Sequence, residues 1–430
     1  MSQAGLAFEQ APPLGAPLRL FLIAPWFLVI AALAAIPSAG DWTAGRWTPA
    51  ALGLTHLLTL GFLDTVMAGA LLQMLPVLIG SPLPQVRPVA WLAYGGLGLG
   101  SPLLAAGLAL GRPPLLDAGL LALAVAWLPF LVAGAVSLAR APAVAAATRA
   151  GMRHAWLGLA LTVGLGLYLG GGLAGLWPLA SPVEFTRLHA AWGLLGWLLM
   201  LVVGVAYQVV PMLQLTPPYP APMTRWLASL LLALLAAYSA QTFLIEHATA
   251  DLAGWLGFGA AIAWFAFATL RLQNRRRRRL PDTTLDFWRL AMACLWLAVL
   301  FAPLALFAPE PWRDPSQVVL GLVFIVGFAV SVVAGMLYKI VPFLAWFHLQ
   351  AQTGARAGTI PNMKEMIPDA AARRHLMLHL AALLLVLPAP FLPAWLSAPG
   401  LLLLAASGYV LWRNLDQARR LFLQYGGRLD

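Results

Sequence analysis

THLLTLGFLDTVMAGALLQMLP, residues 55–76, carries a skeleton that the chain repeats twice. Gly61, Gly69, Gln73 and Pro76 are spaced 8, 4 and 3 residues apart. Gly196, Gly204, Gln208 and Pro211 keep those spacings, and so do Gly327, Gly335, Lys339 and Pro342. Tyr207 and Tyr338 match at the position just before Gln208 and Lys339. The glycines Gly69, Gly204 and Gly335 lie 135 and then 131 residues apart, a period that divides the chain into three related modules.

Hydrophobic residues make up 61% of the 430 and charged residues only 10%. Many apolar runs reach about 20 residues, enough to cross a bilayer core as helices. The expected fold class is therefore all-α: a polytopic membrane protein of one transmembrane domain, 1–430. Twelve transmembrane helices are predicted, at roughly 18–37, 49–79, 88–110, 114–138, 152–177, 185–213, 224–245, 251–270, 284–308, 316–347, 374–396 and 397–414. That is four per module, with modules at about 18–140, 150–272 and 284–414. The repeated stretch falls on spans two, six and ten, which run the same way through the membrane.

The arginines set the expected orientation, because short basic loops stay cytoplasmic. Arg19, Arg87, Arg140, Arg149, Arg153, Arg225, the run Arg275 to Arg279, Arg356, Lys364, Arg373, Arg374, Arg413, Arg419 and Arg420 fall on one side. The other side has only Arg46, Arg112, Arg187 and Arg313, offset by Asp41, Glu184, Glu246, Asp251, Glu310 and Asp314. Both termini are expected to be cytoplasmic, in a bacterial inner membrane. The net charge of +11 reflects this bias and contact with anionic head groups. Because the arginine run lies between two spans, it does not read as a nucleic-acid footprint.

The lone Cys294 excludes an intramolecular disulfide and any cysteine-based metal cluster. Met1 to Pro17 lacks a basic n-region and reads as a cytoplasmic lead-in. Gln350 to Arg374, interrupted by Gly354, Gly358 and Pro361, reads as a cytoplasmic loop.

Within the spans, ionisable residues are the candidates for function. A histidine in a membrane helix must face the bundle and find a partner, and imidazole is also a haem or copper ligand. His56, on the outer third of span two, fits either description. Asp64, two turns on, is either part of a proton or ion path or a structural pair with a polar neighbour. His189 lies near the outer end of span six, after Glu184 and Arg187. It sits fifteen residues before Gly204, whereas His56 sits thirteen before Gly69. Two residues are about 200° of helical rotation, so the two histidines are not symmetry copies and need not share a site. Leu320 and Leu322 stand at the corresponding places in span ten.

The repeat itself carries packing and termination. Its glycines admit either a close neighbouring helix or a flat ligand, and its prolines kink or stop each helix at the inner end. Gln73, Gln208 and Lys339, one turn before those prolines, either line a cytoplasmic vestibule and ion path or snorkel to the interface. Arg153-His154 and Arg374-His375 open two spans at the cytoplasmic side. His154, His375, His379 and His348 are expected at that interface, with the alternative that His375 and His379, sharing one helix face at i, i+4, hold a metal; His247 is expected on the outer surface.

Three four-helix modules, a histidine within THLLTLGF, the following GALLQMLPVL, and LHAAWGLLGW with GVAYQVVPML on span six together resemble the haem-copper oxidase subunit I superfamily, in particular its CcoN-like and NnrS-like members. The resemblance implies that His56 is an axial ligand of a haem b and that His189 stands where the family binds copper beside a second haem. The family's span-seven histidine pair is absent from Ala228 to Tyr238, and its span-ten His-x-His is absent from Val318 to Phe328. Gly193 stands where a tyrosine would follow His189 by one turn. Copper is thus left with one family ligand, and dioxygen reduction is not expected. The implied function is electron transfer or nitric-oxide or haem-related chemistry, with His189, Met67 or Met74 as second axial ligand. A redox partner protein or quinol, the lipid bilayer and a second copy of the chain are the implied partners. The alternative is a metal-free transporter or channel for a small solute, ion or metal, using Asp64, His56, His189, Gln73, Gln208 and Lys339.

Overall fold

The computed structural model describes residues 8–245, 247–277, 280–354 and 360–429. Arg278, Arg279, Arg356, Glu246, residues 1–7 of the lead-in and the side chain of His247 lie outside the described residues.

Helices occupy each predicted span: α1 Gly15–Ala35, α2 Pro49–Ile79, α3 Val86–Leu110, α4 Pro113–Arg140, α5 Ala146–Leu173 and α6 Pro182–Gln214. There follow α7 Ala221–Leu244, α8 Ala248–Asn274, α9 Thr283–Phe307, α10 Arg313–Thr353, α11 Asp369–Val386 and α12 Pro393–Gln424. Eleven are long and apolar enough to cross a membrane. The other, α11, has 18 residues and carries Asp369, Arg373 and Arg374 near its start. Among the described residues there are no strands, and the chain is a polytopic helical membrane protein.

Burial identifies the centre. The apolar windows of α2, α6 and α10 are 89%, 72% and 83% buried, against 28–56% in the other eight spans. Each central helix packs against the helix just before it, as α1 on α2, α5 on α6 and α9 on α10, and each is followed by a helical hairpin. Helix α12 closes the ring on α1, where the Gly15 N–H donates to the Leu429 carbonyl at 2.8 Å.

All three central helices contain an eight-residue π-helical stretch, at Leu57–Asp64, Trp192–Leu199 and Val323–Val330. Gly61, Gly196 and Gly327 each occupy its fifth position. This explains the spacing of eight. In an α-helix eight residues turn about 800°, leaving two glycines about 80° apart. One residue absorbed as a π-bulge makes the effective count seven, about 700°, which brings both glycines within about 20° of one line. In α2 and α10 both then face the preceding helix, and in α6 Gly204 does so while a Cβ on Gly196 would first meet Trp192 of its own helix and Leu235 of α7. A Cβ on Gly61 or Gly69 would meet Phe27 or Phe21 of α1 at 2.6 and 2.8 Å. On Gly204 it would meet the Gly151 Cα of α5 at 2.9 Å, and on Gly327 and Gly335 it would meet Cys294 and Phe287 of α9 at 2.8 and 2.7 Å. These repeat glycines admit a neighbouring helix rather than a flat ligand.

The prolines act less uniformly than expected. Helices α2 and α6 end three residues after Pro76 and Pro211, at left-handed Gly80 and Leu215, but α10 runs eleven residues past Pro342. The expected loop 350–374 is accordingly shorter, and it contains a helical turn, Met363–Met366, with a capping box between Asn362 and Glu365.

Candidate functional site

One half of the bundle encloses a cavity of about 700 Å³, walled mainly by apolar side chains of the three central helices and their neighbours. His56 and His189 both line it. Their ring centroids are 6.1 Å apart and their planes near-parallel, at 18°. The structure thus brings together two histidines that rotation along a single helix had left unrelated. They lie on different helices, so the offset of two residues in the repeat is set against the spacing between α2 and α6.

Backbone carbonyls fix both rings. His56 Nδ1–H donates to Leu52 O at 2.7 Å and His189 Nδ1–H to Thr162 O at 3.1 Å. A carbonyl only accepts, so each Nδ1 carries the proton and each Nε2 keeps its lone pair. Thr162 comes from α5, and Gly166, one turn on, leaves room for the ring: a Cβ there would sit 3.0 Å from His189 Cε1.

Asp64 lies deeper on the same cavity wall and is buried. Its carboxyl accepts from Trp197 Nε1 at 2.8 Å, so the polar neighbour is an indole from α6. Met67, buried at 5% exposure, does not line the cavity, and neither does Met74.

At the cavity mouth stand Arg46 and Arg187. Arg187 donates to Asp251 and to the Tyr238 hydroxyl, while its Nε is buried without a partner. Arg46 lies 4.6 Å from the Trp47 ring centre. Desolvation first, and the neighbouring Arg187 charge second, lower the Arg46 pKa from its ordinary value. Asp251 and Asp314 offset these two guanidinium groups in charge, but the planar forks of Arg46 and Arg187 remain suited to a carboxylate or phosphate. The sequence showed these arginines only as exceptions to the charge bias.

The remaining candidates are elsewhere. Lys339 pairs with Asp282, the N-cap of α9, at 3.0 Å. Gln73 is buried and Gln208 half-buried, each with an unpartnered Oε1, and neither lines the cavity. His154 and His348 are half-buried. His375 and His379 correct the interfacial expectation: they are 1% and 0% exposed, packed among α9, α10 and α12. The arginines before them face outward while the opposite face of α11 packs against α9 and α12. Among the described residues, no group of three or more His, Cys, Asp or Glu is placed to hold a metal ion. No family model matches the chain, and no curated protein matches it.

Proposed function

We propose that this chain is a membrane-embedded b-type haem protein on a haem-copper oxidase subunit I-like scaffold, serving electron transfer. The carrying observation is the His56–His189 pair, with Nδ1 engaged on both rings and Nε2 left over. Ring centres 6.1 Å apart, each with an unengaged Nε2, would let His56 and His189 together hold one haem iron.

Such a haem, when bound, would supply one-electron redox chemistry. His56 and His189 hold it, and the Leu52 and Thr162 carbonyls fix their orientation and raise their basicity. The apolar walls exclude water, and Arg46 with Arg187 would receive the carboxylates of the group. Two axial histidines favour electron transfer over nitric-oxide or dioxygen chemistry. They also use the His189 nitrogen that copper would need, so copper is not carried into the proposal. The transport reading is less favoured, because Asp64 is held by Trp197 and Lys339 by Asp282.

The proposal includes twelve crossings in three modules. The Gly15–Leu429 hydrogen bond puts both described ends on one side of the bundle, which supports an even count with α11 as a crossing. The three π-stretches, starting 135 and 131 residues apart, support the modules. By the arginine bias both termini are cytoplasmic in a bacterial inner membrane, with a redox protein or a quinol as electron partner.

The test is the visible spectrum of the detergent-purified protein, oxidised and dithionite-reduced, with His56→Ala and His189→Ala. A Soret band with a sharp reduced α band, lost in either variant, is expected. A folded, colourless protein obtained under ample haem supply sinks the reading, and a spectrum indifferent to His189→Ala sinks the two-histidine assignment.

A further inference from the structure

The structure contains a second histidine pair that the proposed haem site does not use. His375 and His379 stand one turn apart on α11, with ring centroids 6.1 Å apart. Around them are Phe287 of α9, Tyr338 and Ser331 of α10, and Asn414 of α12, which donates to the Tyr338 hydroxyl at 2.9 Å. Both ring nitrogens of His375 and the Nδ1 of His379 are buried without a hydrogen-bond partner. A buried polar group left unsatisfied is destabilising, and three of them within one pair point to something that pairs with them.

We propose that His375 and His379 form a buried binding site for a single copper(I) ion. His379 engages Ser331 Oγ through Nε2 at 2.9 Å, which leaves Nδ1 for the metal. A ligating imidazole ordinarily hydrogen-bonds an oxygen through its other nitrogen, and Ser331 supplies that oxygen. His375 offers either nitrogen. Two metal–nitrogen bonds of about 2.0–2.1 Å span ring centres up to about 6 Å apart, which matches the observed separation. The charge of the ion follows from the surroundings. Among the described residues no carboxylate joins the pair in a group of three ligands. The cost of burying an ion rises with the square of its charge, so a monovalent ion is favoured over zinc(II). Imidazole suits copper in either oxidation state. This site is distinct from His189, where the family resemblance would put copper, and it does not rest on the haem reading.

The test is anaerobic titration of the full-length protein in detergent with copper(I) kept reduced by ascorbate, followed by desalting and metal analysis. Copper bound by the parent is expected to fall by one ion per chain in His375→Leu and in His379→Leu, with affinity at that site lost at least tenfold. Ser331→Ala keeps both imidazoles and should weaken binding about 10- to 100-fold. It decides the matter if the leucine variants fail to fold, since unchanged affinity in Ser331→Ala overturns the proposal. So does a parent protein that binds no copper(I), or leucine variants that retain it. Equal retention of zinc(II) by the parent overturns the charge argument and with it the assignment to copper(I).

Discussion

Replacing Gly151 with alanine tests the packing on which the central helices depend. Gly151 of α5 faces Gly204 of α6, and a Cβ built on Gly151 lies 2.5 Å from the Gly204 Cα. Carbon atoms prefer about 3.5–4.0 Å, so the helices must part by about 1 Å, and a gap of that size forfeits a quarter to a half of the dispersion energy of the atoms along it. No flexible side chain takes up the strain, because backbone meets backbone. Overpacking of this kind costs about 1–3 kcal/mol. Gly→Ala in a helix also returns up to about 1 kcal/mol of propensity, so a control is needed that contains only that gain. Gly164, on the same helix, has nothing within 4 Å of its would-be Cβ. Gly164→Ala should therefore be neutral or stabilising, and Gly151→Ala should fall below it by about 1–3 kcal/mol, a factor of about 5–150 in the unfolding equilibrium. Reversible denaturation of both variants in the same detergent measures this. If Gly151→Ala equals or exceeds Gly164→Ala, the direct helix contact is refuted, and with it the account of why the repeat spaces its glycines by eight.

Trp197→Phe removes the indole that donates to Asp64 and leaves a buried acceptor, so stability should drop by about 1–3 kcal/mol; adding Asp64→Leu should recover part of that loss in the same unfolding assay. Ser81 and Ser137 each donate a hydroxyl to the other's carbonyl, at 2.7 and 2.6 Å, and thereby fasten the turn after α2 to α4. Ser137→Ala should cost about 1 kcal/mol in thermal unfolding, whereas Ser38→Ala, which loses a solvent-exposed bond to its own helix, should cost little. Asp251→Ala leaves the Arg187 guanidinium without its carboxylate at a mostly buried position and should destabilise more than the double variant Asp251→Ala/Arg187→Leu, by roughly 1–3 kcal/mol in a double-mutant cycle. Under the haem reading, Arg187→Leu should also lower haem retention on extended dialysis while the Soret position is kept.

Much of the fold was legible in the chain because its causes are local. A run of about 20 apolar residues has no soluble alternative, since every backbone group in lipid must be satisfied within a helix. Hence the helix 49–79 matches its predicted ends and nine others lie within about six residues of theirs, but α11 stops ten residues short of its predicted end and α12 runs ten past its own. The spacing of Gly61 and Gly69 was legible as a repeat but not as a π-bulge. Only the coordinates show that one residue is absorbed without turning the helix.

The site was legible as a set of residue types and illegible as an arrangement. The sequence by itself determined that His56, His189 and Asp64 would sit in membrane helices and need partners, because an unpaired polar group there is costly. It could not say that His56 faces His189 or that Asp64 meets Trp197. Those distances belong to the approach of α2 to α6, which helical rotation along either chain segment does not contain. The same holds for His375 and His379. Their position beside Arg373 and Arg374 gives α11 the composition of an interfacial helix start, and only the packing of its other face against α9, α10 and α12 buries them. Composition fixed which segments enter the bilayer through transfer free energy, and tertiary packing decided which polar groups meet, because only close contact between helices relieves the cost of carrying them there.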